Sequence, residues 1–421
     1  MITPNFKINQ DPRYIHLLIK APMAKIGETS VAFDDEMFCF HSKPYYLRLH
    51  LPGKLATQDG SEKIDWDGEK NEFVISLLKA TEGEHFNDLN MLTKLLTKPN
   101  HQKNIKLNSG IEVLDQEVTE DQEDYDWYID QSEWTEDEQK SLMGEKYGFA
   151  NRYSGILSRF LDEIGDLLEL KQPETTDNCE RKELRLQKDK EMFDEDHYWF
   201  DLYEQKDTIK DLISFKLDWE KTTDCDSCNF NDEQIFRMKN LPKREYLLSK
   251  KEKFQLLLGL IDILFAYSYD MRTTEGEHTC ESGWTIIKLS ATLSWLQIHS
   301  TLPETLVTCV QRSLVHPLYR NWNLSLKVIN DVYQILTKGR SFIIKCLLDV
   351  HRILNESGDL QYIFNDLYIT DYCVWIQNVR EETFRSLAEA MKKIEITKEM
   401  IGFDLQIIEK AAELAFNESI Q

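Results

Sequence analysis

Glycine is scarce, with 16 in 421 residues. Phosphate-cradling loops need glycine where backbone must approach a ligand, and neither GxGxxG nor GxxxxGKS/T occurs. HExxH, an EF-hand loop and a nucleophile elbow are also missing. The chain therefore reads as a non-enzyme with no cofactor and no metal centre. Long apolar runs are missing too. The longest, FQLLLGLIDILFAYSY at 254–269, falls short of the roughly 18–20 residues that cross a bilayer and runs into Asp270 and Arg272. The first residues, MITPNFKINQDPRY, lack the charged and apolar regions of a signal peptide. Eight cysteines are scattered, which reads as reduced thiols inside a cell. The one CxxC, Cys225–Cys228, has neither a second CxxC nor a histidine pair to complete a zinc site. Basic residues are in deficit, 50 against 74 acids, for a net charge of -24. That excludes direct phosphate-backbone binding and anionic membrane surfaces. It leaves two readings, a charge that keeps the chain soluble or one that attracts a basic partner.

Hydrophobic periodicity divides what is present. Residues 1–97 read as short strands. In YYLRLHLPG, Leu47, Leu49 and Leu51 alternate with Tyr46, Arg48 and His50, as in a half-buried antiparallel strand. NEFVISLLK repeats this through Phe73, Ile75 and Leu77, and PNFKINQ and YIHLLIKAP add two more strands. SVAFDDEMFCFHS predicts a hairpin turning at Asp34-Asp35, and Trp66 is placed in a loop, KIDWDGEK. Residues 98–145 read as an acidic linker. From 146 to 421 the period becomes helical, with 253–271 apolar on nearly every side and so expected at the centre. Gly339 predicts a helix stop, and 220–235 predicts a polar loop. The fold class is α+β: an antiparallel β-sandwich, then an all-α domain.

Four segments combine rings, charge and turn residues. EDQEDYDWYIDQSEWTEDEQ, 120–139, sets Trp127, Ile129 and Trp134 among acids, and Trp127 is a candidate anchor for a partner or for the chain's own helical domain. VHPLYRNWNLS puts Tyr319, Arg320 and Trp322 at an inter-helix corner after Pro317, a composition shared by interface hot spots and packed corners. YIFNDLYITDYCVWIQNVR brings Asp366, Tyr368 and Asp371 together, and helical spacing sets Asp371 and Trp375 on one face. RTTEGEHTCESGWTIIKLS reads as a helix entry with acids at its positive end. Lys338 and Arg340 form a basic corner that meets an acidic patch or caps the preceding helix.

Several stretches carry a resemblance. QDPRYIHLLIKAP, FHSKPYYLRLHLPG, HFNDLNMLTKLL, KYGFANRYSGIL, EGEHTCESGWTIIKLSATLSWL, HPLYRNWNLSLKV and YIFNDLYITDYCVWIQ resemble the Shq family of H/ACA ribonucleoprotein assembly factors, almost end to end. The resemblance implies that 1–97 is a CS (p23-like) sandwich and 146–421 an Shq-specific helical domain. It implies a monomeric, non-enzymatic chaperone for dyskerin, the pseudouridine synthase of H/ACA particles, in nucleus and cytoplasm. In that family the helical domain covers the synthase's RNA-binding surface before guide RNA is loaded, and AAA+ ATPases help to remove it. The contact residues expected on this reading are Trp127, Tyr319, Arg320, Trp322, Lys338, Arg340, Asp366, Tyr368 and Asp371. The alternative is a p23-like Hsp90 co-chaperone with a helical client adaptor. His316 and Gly283 stand where the family pattern leads one to expect an aromatic residue and alanine.

Overall fold

A computed structural model describes residues 3–21, 29–42, 45–56, 62–67, 72–96, 145–221, 230–358 and 360–419. The acidic stretch with Trp127 and Trp134, and the Cys225–Cys228 pair, lie outside these residues.

Among the described residues, seven antiparallel strands form two sheets. They are β1 (Asn5–Gln10), β2 (Tyr14–Lys20), β3 (Ser30–Asp34), β4 (Met37–Ser42), β5 (Tyr45–His50), β6 (Glu62–Asp67) and β7 (Glu72–Leu78). One sheet runs β1-β2-β7-β6 and the other β3-β4-β5. Alternation in the sequence sets the register, because a one-residue slip would turn every apolar side chain to water. Leu17 sits opposite Ile75 and Phe40 opposite Leu47, and all four are buried between the sheets. The hairpin forms as expected, but its turn is Asp35-Glu36, one residue past the expected Asp34-Asp35, because Asp34 still pairs with Met37.

Two further expectations for this region are corrected. Trp66 lies in strand β6, opposite Phe73, with the ring centroids 4.4 Å apart. β6 is an edge strand exposed along most of its length, so its sequence carries no alternating signal. Residues Leu92–Leu96 form a short helix where strands were expected. Leu92 and Leu95 join the sandwich core while Met91 joins the core of the helical body, so this turn straps the two together.

Further bonds cross the same junction. Thr93 Oγ1 donates to the Met238 carbonyl at 2.7 Å, Asn90 Nδ2 to Ser341 Oγ at 2.9 Å, and Lys239 Nζ to Asn5 Oδ1 at 2.6 Å. Ile235, on the helix Asp232–Asn240, packs against the sandwich core.

The helical body is built around Lys250–Thr273, which opens with a Ser249–Glu252 capping box. A helix apolar on all sides must be enclosed by others. Its length and composition would suffice to cross a membrane, yet 89% of that apolar window is buried, from Leu256 onward, under neighbouring helices. Those helices include Ser282–Leu289, Leu302–Val315 and Trp322–Thr337. Gly339, at φ 86°, ends the last of these and starts Arg340–Glu356. The charged residues enclosed with it are paired, while the Ser268 hydroxyl on the same helix is buried with no hydrogen-bond partner among the described residues. Arg272 and Asp331, both fully buried, form two bonds of 2.6 and 2.7 Å, and Trp219 Nε1 donates to the same carboxylate at 3.1 Å.

Removing one charge from such a pair leaves the other stranded in low dielectric. Arg272→Met is therefore expected to cost about 3–5 kcal/mol in urea unfolding. Adding Asp331→Leu is expected to recover only part of this, because the Leu212 and Phe215 carbonyls still lose their donor.

Candidate partner-binding surface

The corner between Leu302–Val315 and Trp322–Thr337 is fixed by its backbone. Asn321 caps the second helix, its Oδ1 accepting from Asn323 N at 2.9 Å and Leu324 N at 3.2 Å. The Tyr319 carbonyl accepts from Tyr269 Oη at 2.5 Å, the Leu318 carbonyl bonds His197 Nε2 at 2.9 Å, and Arg320 N donates to Asp201 at 2.5 Å. Tyr319, Arg320 and Trp322 are half-buried. Trp322 packs on a small core with Tyr198 and Phe403, and the Lys398 ammonium stands 5.7 Å from its ring. Leu318, just before Tyr319 in the chain, is 71% exposed.

The segment 365–371 places its three candidates differently. Asn365–Ile369 form a π-helical turn, in which the register of side chains shifts against an ordinary helix. Asp366 is exposed. Tyr368 and Asp371, expected as contact residues, are buried within the helical body. Tyr368 Oη accepts from Gly148 N at 3.1 Å. Asp371 accepts from Tyr153 Oη at 2.7 Å and Tyr246 Oη at 2.5 Å, with Arg244 at 3.4 Å. Both side chains hold outlying segments onto the body, so neither presents itself to a partner. Asp371 and Trp375 do share a face, and that face is buried.

Arg340, also expected as a contact residue, is buried as well. Its guanidinium donates to the Gln377 and Val379 carbonyls at 3.1 Å and pairs with Asp88 of the strap, which ties the sandwich to the body. Lys338 is half-buried, its ammonium 5.8 Å from the Phe342 ring. Trp127 lies outside the described residues. The candidates that keep solvent-facing surface thus fall in three places: the 319–322 corner, Asp366 beside the π-turn, and Lys338.

The two departures from the family pattern have local causes. His316 sits among Arg312, Asp189 and Glu169, where an aromatic ring would lack polar partners. Glu169, Asp189 and His316 bring ligand-type atoms within 4.8 Å of one another, as a metal site would. Here the Arg312 guanidinium lies against both carboxylates, at 2.6 and 2.7 Å, and supplies the positive charge. Burial would raise the Glu169 carboxyl, but Arg312 outweighs it and holds the group below its usual range. At Gly283 a Cβ would meet Gln361 Oε1 at 2.0 Å and Ser357 Oγ at 2.5 Å, so alanine requires both neighbours to move.

Sequence reading missed two features. One is the exposed pair Trp199 and Phe200 on the helix Glu195–Tyr203. Its sequence, EDHYWFDLY, has the same acid-flanked rings as 120–139, and that composition could have flagged it. The other is His278, placed between two acids by the loop at 274–281. Its Nδ1 bonds Asp270 at 2.8 Å and its Nε2 bonds Asp349 at 2.8 Å. Arg352 and Tyr267 Oη bond Asp349 as well.

The described residues thus form an antiparallel β-sandwich strapped to a mostly buried helical body, with acids and rings at its surface corners. Residues 3–96 match the family model described as SHQ1-like, CS domain, and residues 219–405 match that described as SHQ1 protein, Shq1 domain. Protein SHQ1 homolog of Danio rerio is 40% identical over 99% of this chain and 72% of its own length. Protein SHQ1 homolog of Xenopus tropicalis is 38% identical over 100% of this chain and 71% of its own length. That of Caenorhabditis elegans is 34% identical over 99% of this chain and 97% of its own. The chain belongs to the SHQ1 family.

Burial by itself would lower the pKa of His278, but the bonds from Asp270 and Asp349 outweigh it and raise it from 6.5 to about 9. A raised folded-state pKa stabilises the protein fully below pH 6.5, and the contribution fades as pH rises through 9. Urea unfolding across that window is expected to show a loss on the order of 3 kcal/mol. His278→Gln is expected to be less stable at low pH and to show a flatter profile.

Proposed function

We propose that this protein is a non-enzymatic assembly chaperone of box H/ACA ribonucleoproteins. It binds the dyskerin-type pseudouridine synthase on the surface that later takes guide RNA, and holds that surface until loading. The observation that carries this reading is the net charge of -24 on a chain of the SHQ1 family. A surface made to bind RNA is basic, and bare it would aggregate or capture the wrong nucleic acid. Carboxylates on the chaperone stand in for phosphates, and rings at corners such as Tyr319 and Trp322 supply desolvated contacts. The acidic stretch around Trp127 fits the same role. Strong charge complementarity makes a separate release step useful, and an AAA+ ATPase is a suitable agent. The protein acts as a monomer in nucleus and cytoplasm, with no nucleic acid of its own.

Competition tests this. Guide RNA added to the purified complex is expected to displace the full-length chain from the synthase. RNA and chain seated together on one synthase, without mutual weakening, would overturn the placeholder reading. The dissociation rate of the complex is also expected to rise steeply between about 0.1 and about 0.5 M salt, as screening shortens to a few ångströms.

A further inference from the structure

A groove of about 590 Å³ opens between the helix Glu195–Tyr203 and the 317–320 corner. That lies within the range of about 300–1,000 Å³ typical of binding clefts. Phe200, Leu318 and Tyr319 contribute its apolar surface, and Asp194, Asp196 and Asp201 its acids. No lysine or arginine is among the described residues that line it; Arg320, half-buried at the corner, offsets part of the charge of Asp194 and Asp201 and leaves that of Asp196.

The apolar side chains are held out to water by a rigid frame. Leu318 is 71% exposed and Phe200 44%. The backbone around Leu318 cannot fold that side chain inward. Its own carbonyl bonds His197, the next carbonyl bonds Tyr269, and the following amide bonds Asp201. Tyr198, adjacent on the helix, is buried in the core shared with Leu314 and Val315, so helix and corner move as one unit. A contact surface already fixed in shape loses little conformational entropy when a partner covers it.

Charge selects the occupant. Phosphate-rich partners, whether RNA or anionic lipid, are repelled by the acids. A lysine or arginine is attracted, and its aliphatic stem covers apolar surface while its head reaches the carboxylates. Taking the synthase reading as given, we propose that this groove receives a basic segment of the synthase, a lysine or arginine flanked by an apolar side chain. The groove then serves as an anchor point of the interface, with Leu318 and Phe200 as its apolar contacts and Asp196 as its exposed acid.

The test uses the full chain and purified synthase, with affinity measured by calorimetry and folding checked by thermal melting. Leu318→Ser is expected to weaken binding by about tenfold with an unchanged melting temperature, the size of effect of a central interface residue. Asp196→Lys is expected to weaken binding and to reduce its dependence on salt. Leu247→Ser serves as the control, since that leucine is fully exposed elsewhere in the chain. Both groove variants binding within twofold of the wild type would overturn the groove and leave the chaperone reading standing. Equal loss in Leu247→Ser would also overturn it, because the effect would then be general to exposed leucines. A wild-type chain with no affinity for the synthase would remove the chaperone reading and the groove's occupant with it.

Discussion

The helix Lys250–Thr273 has no solvent face over most of its length, so each charged side chain in its buried part needs a partner on another segment. The arrangement of the helical body follows from those obligations. Asp262 accepts from Ser290 Oγ at 2.6 Å and Thr292 N at 2.8 Å, which fixes the turn after Ser282–Leu289. Asp270 holds His278, and His278 reaches on to Asp349 in the helix Arg340–Glu356. Arg272 takes Asp331 from Trp322–Thr337 and the carbonyls of Leu212, Ile213 and Phe215 from the segment before Trp219. Apolar packing supplies the driving force, which is non-directional. The buried charges make the packing specific, since a neighbour rotated out of place would leave one of them unpaired.

A second network works the same way beside the first, where Arg312 also bonds Ser294 Oγ. Arg185, Asp189, Arg312 and Glu169 are buried together with His316, and their bonds join the helix Asn178–Met192 to Leu302–Val315. That leaves the 316–322 corner resting on a stiff base. Leu318 and the half-buried Tyr319 and Trp322 stand at its rim, beside the acids of the helix Glu195–Tyr203. A chain with so large an acid excess keeps many carboxylates in water, where they cost little and steer encounter with a basic surface. The interior spends its charges on architecture, and the surface has charge left for a partner.

The sandwich is attached to this body by more than a covalent link. The strap at 88–96 shares its apolar residues between two cores, and Asp88 pairs with Arg340 while Lys94 N donates to Gln377 Oε1 at 3.3 Å. Most of these residues are ordinary in sequence. Arg340 in particular reads as a basic surface corner until the strap is laid over it, and only then does its burial make sense.

Much of the fold was legible because it depends on local periodicity. The alternation in β2, β4, β5 and β7, the hairpin between β3 and β4, the all-round apolar helix at 253–271 and the stop at Gly339 each follow from a few consecutive residues. The family pattern was equally local, and it led to a class of partner. Strand β6 was not legible, because an edge strand with little to bury carries no alternating signature. Nor could spacing tell Asp366 from Asp371, since both are acids among rings. The π-turn and the hydroxyls of Tyr153 and Tyr246, more than a hundred positions away, send one to water and the other inside. The sequence alone determined which residues must avoid water and which charge the surface must carry. Only the tertiary structure decided which polar side chains remained outside to meet a partner, because burial of a charge depends on whether a distant segment brings it a counter-charge or a donor.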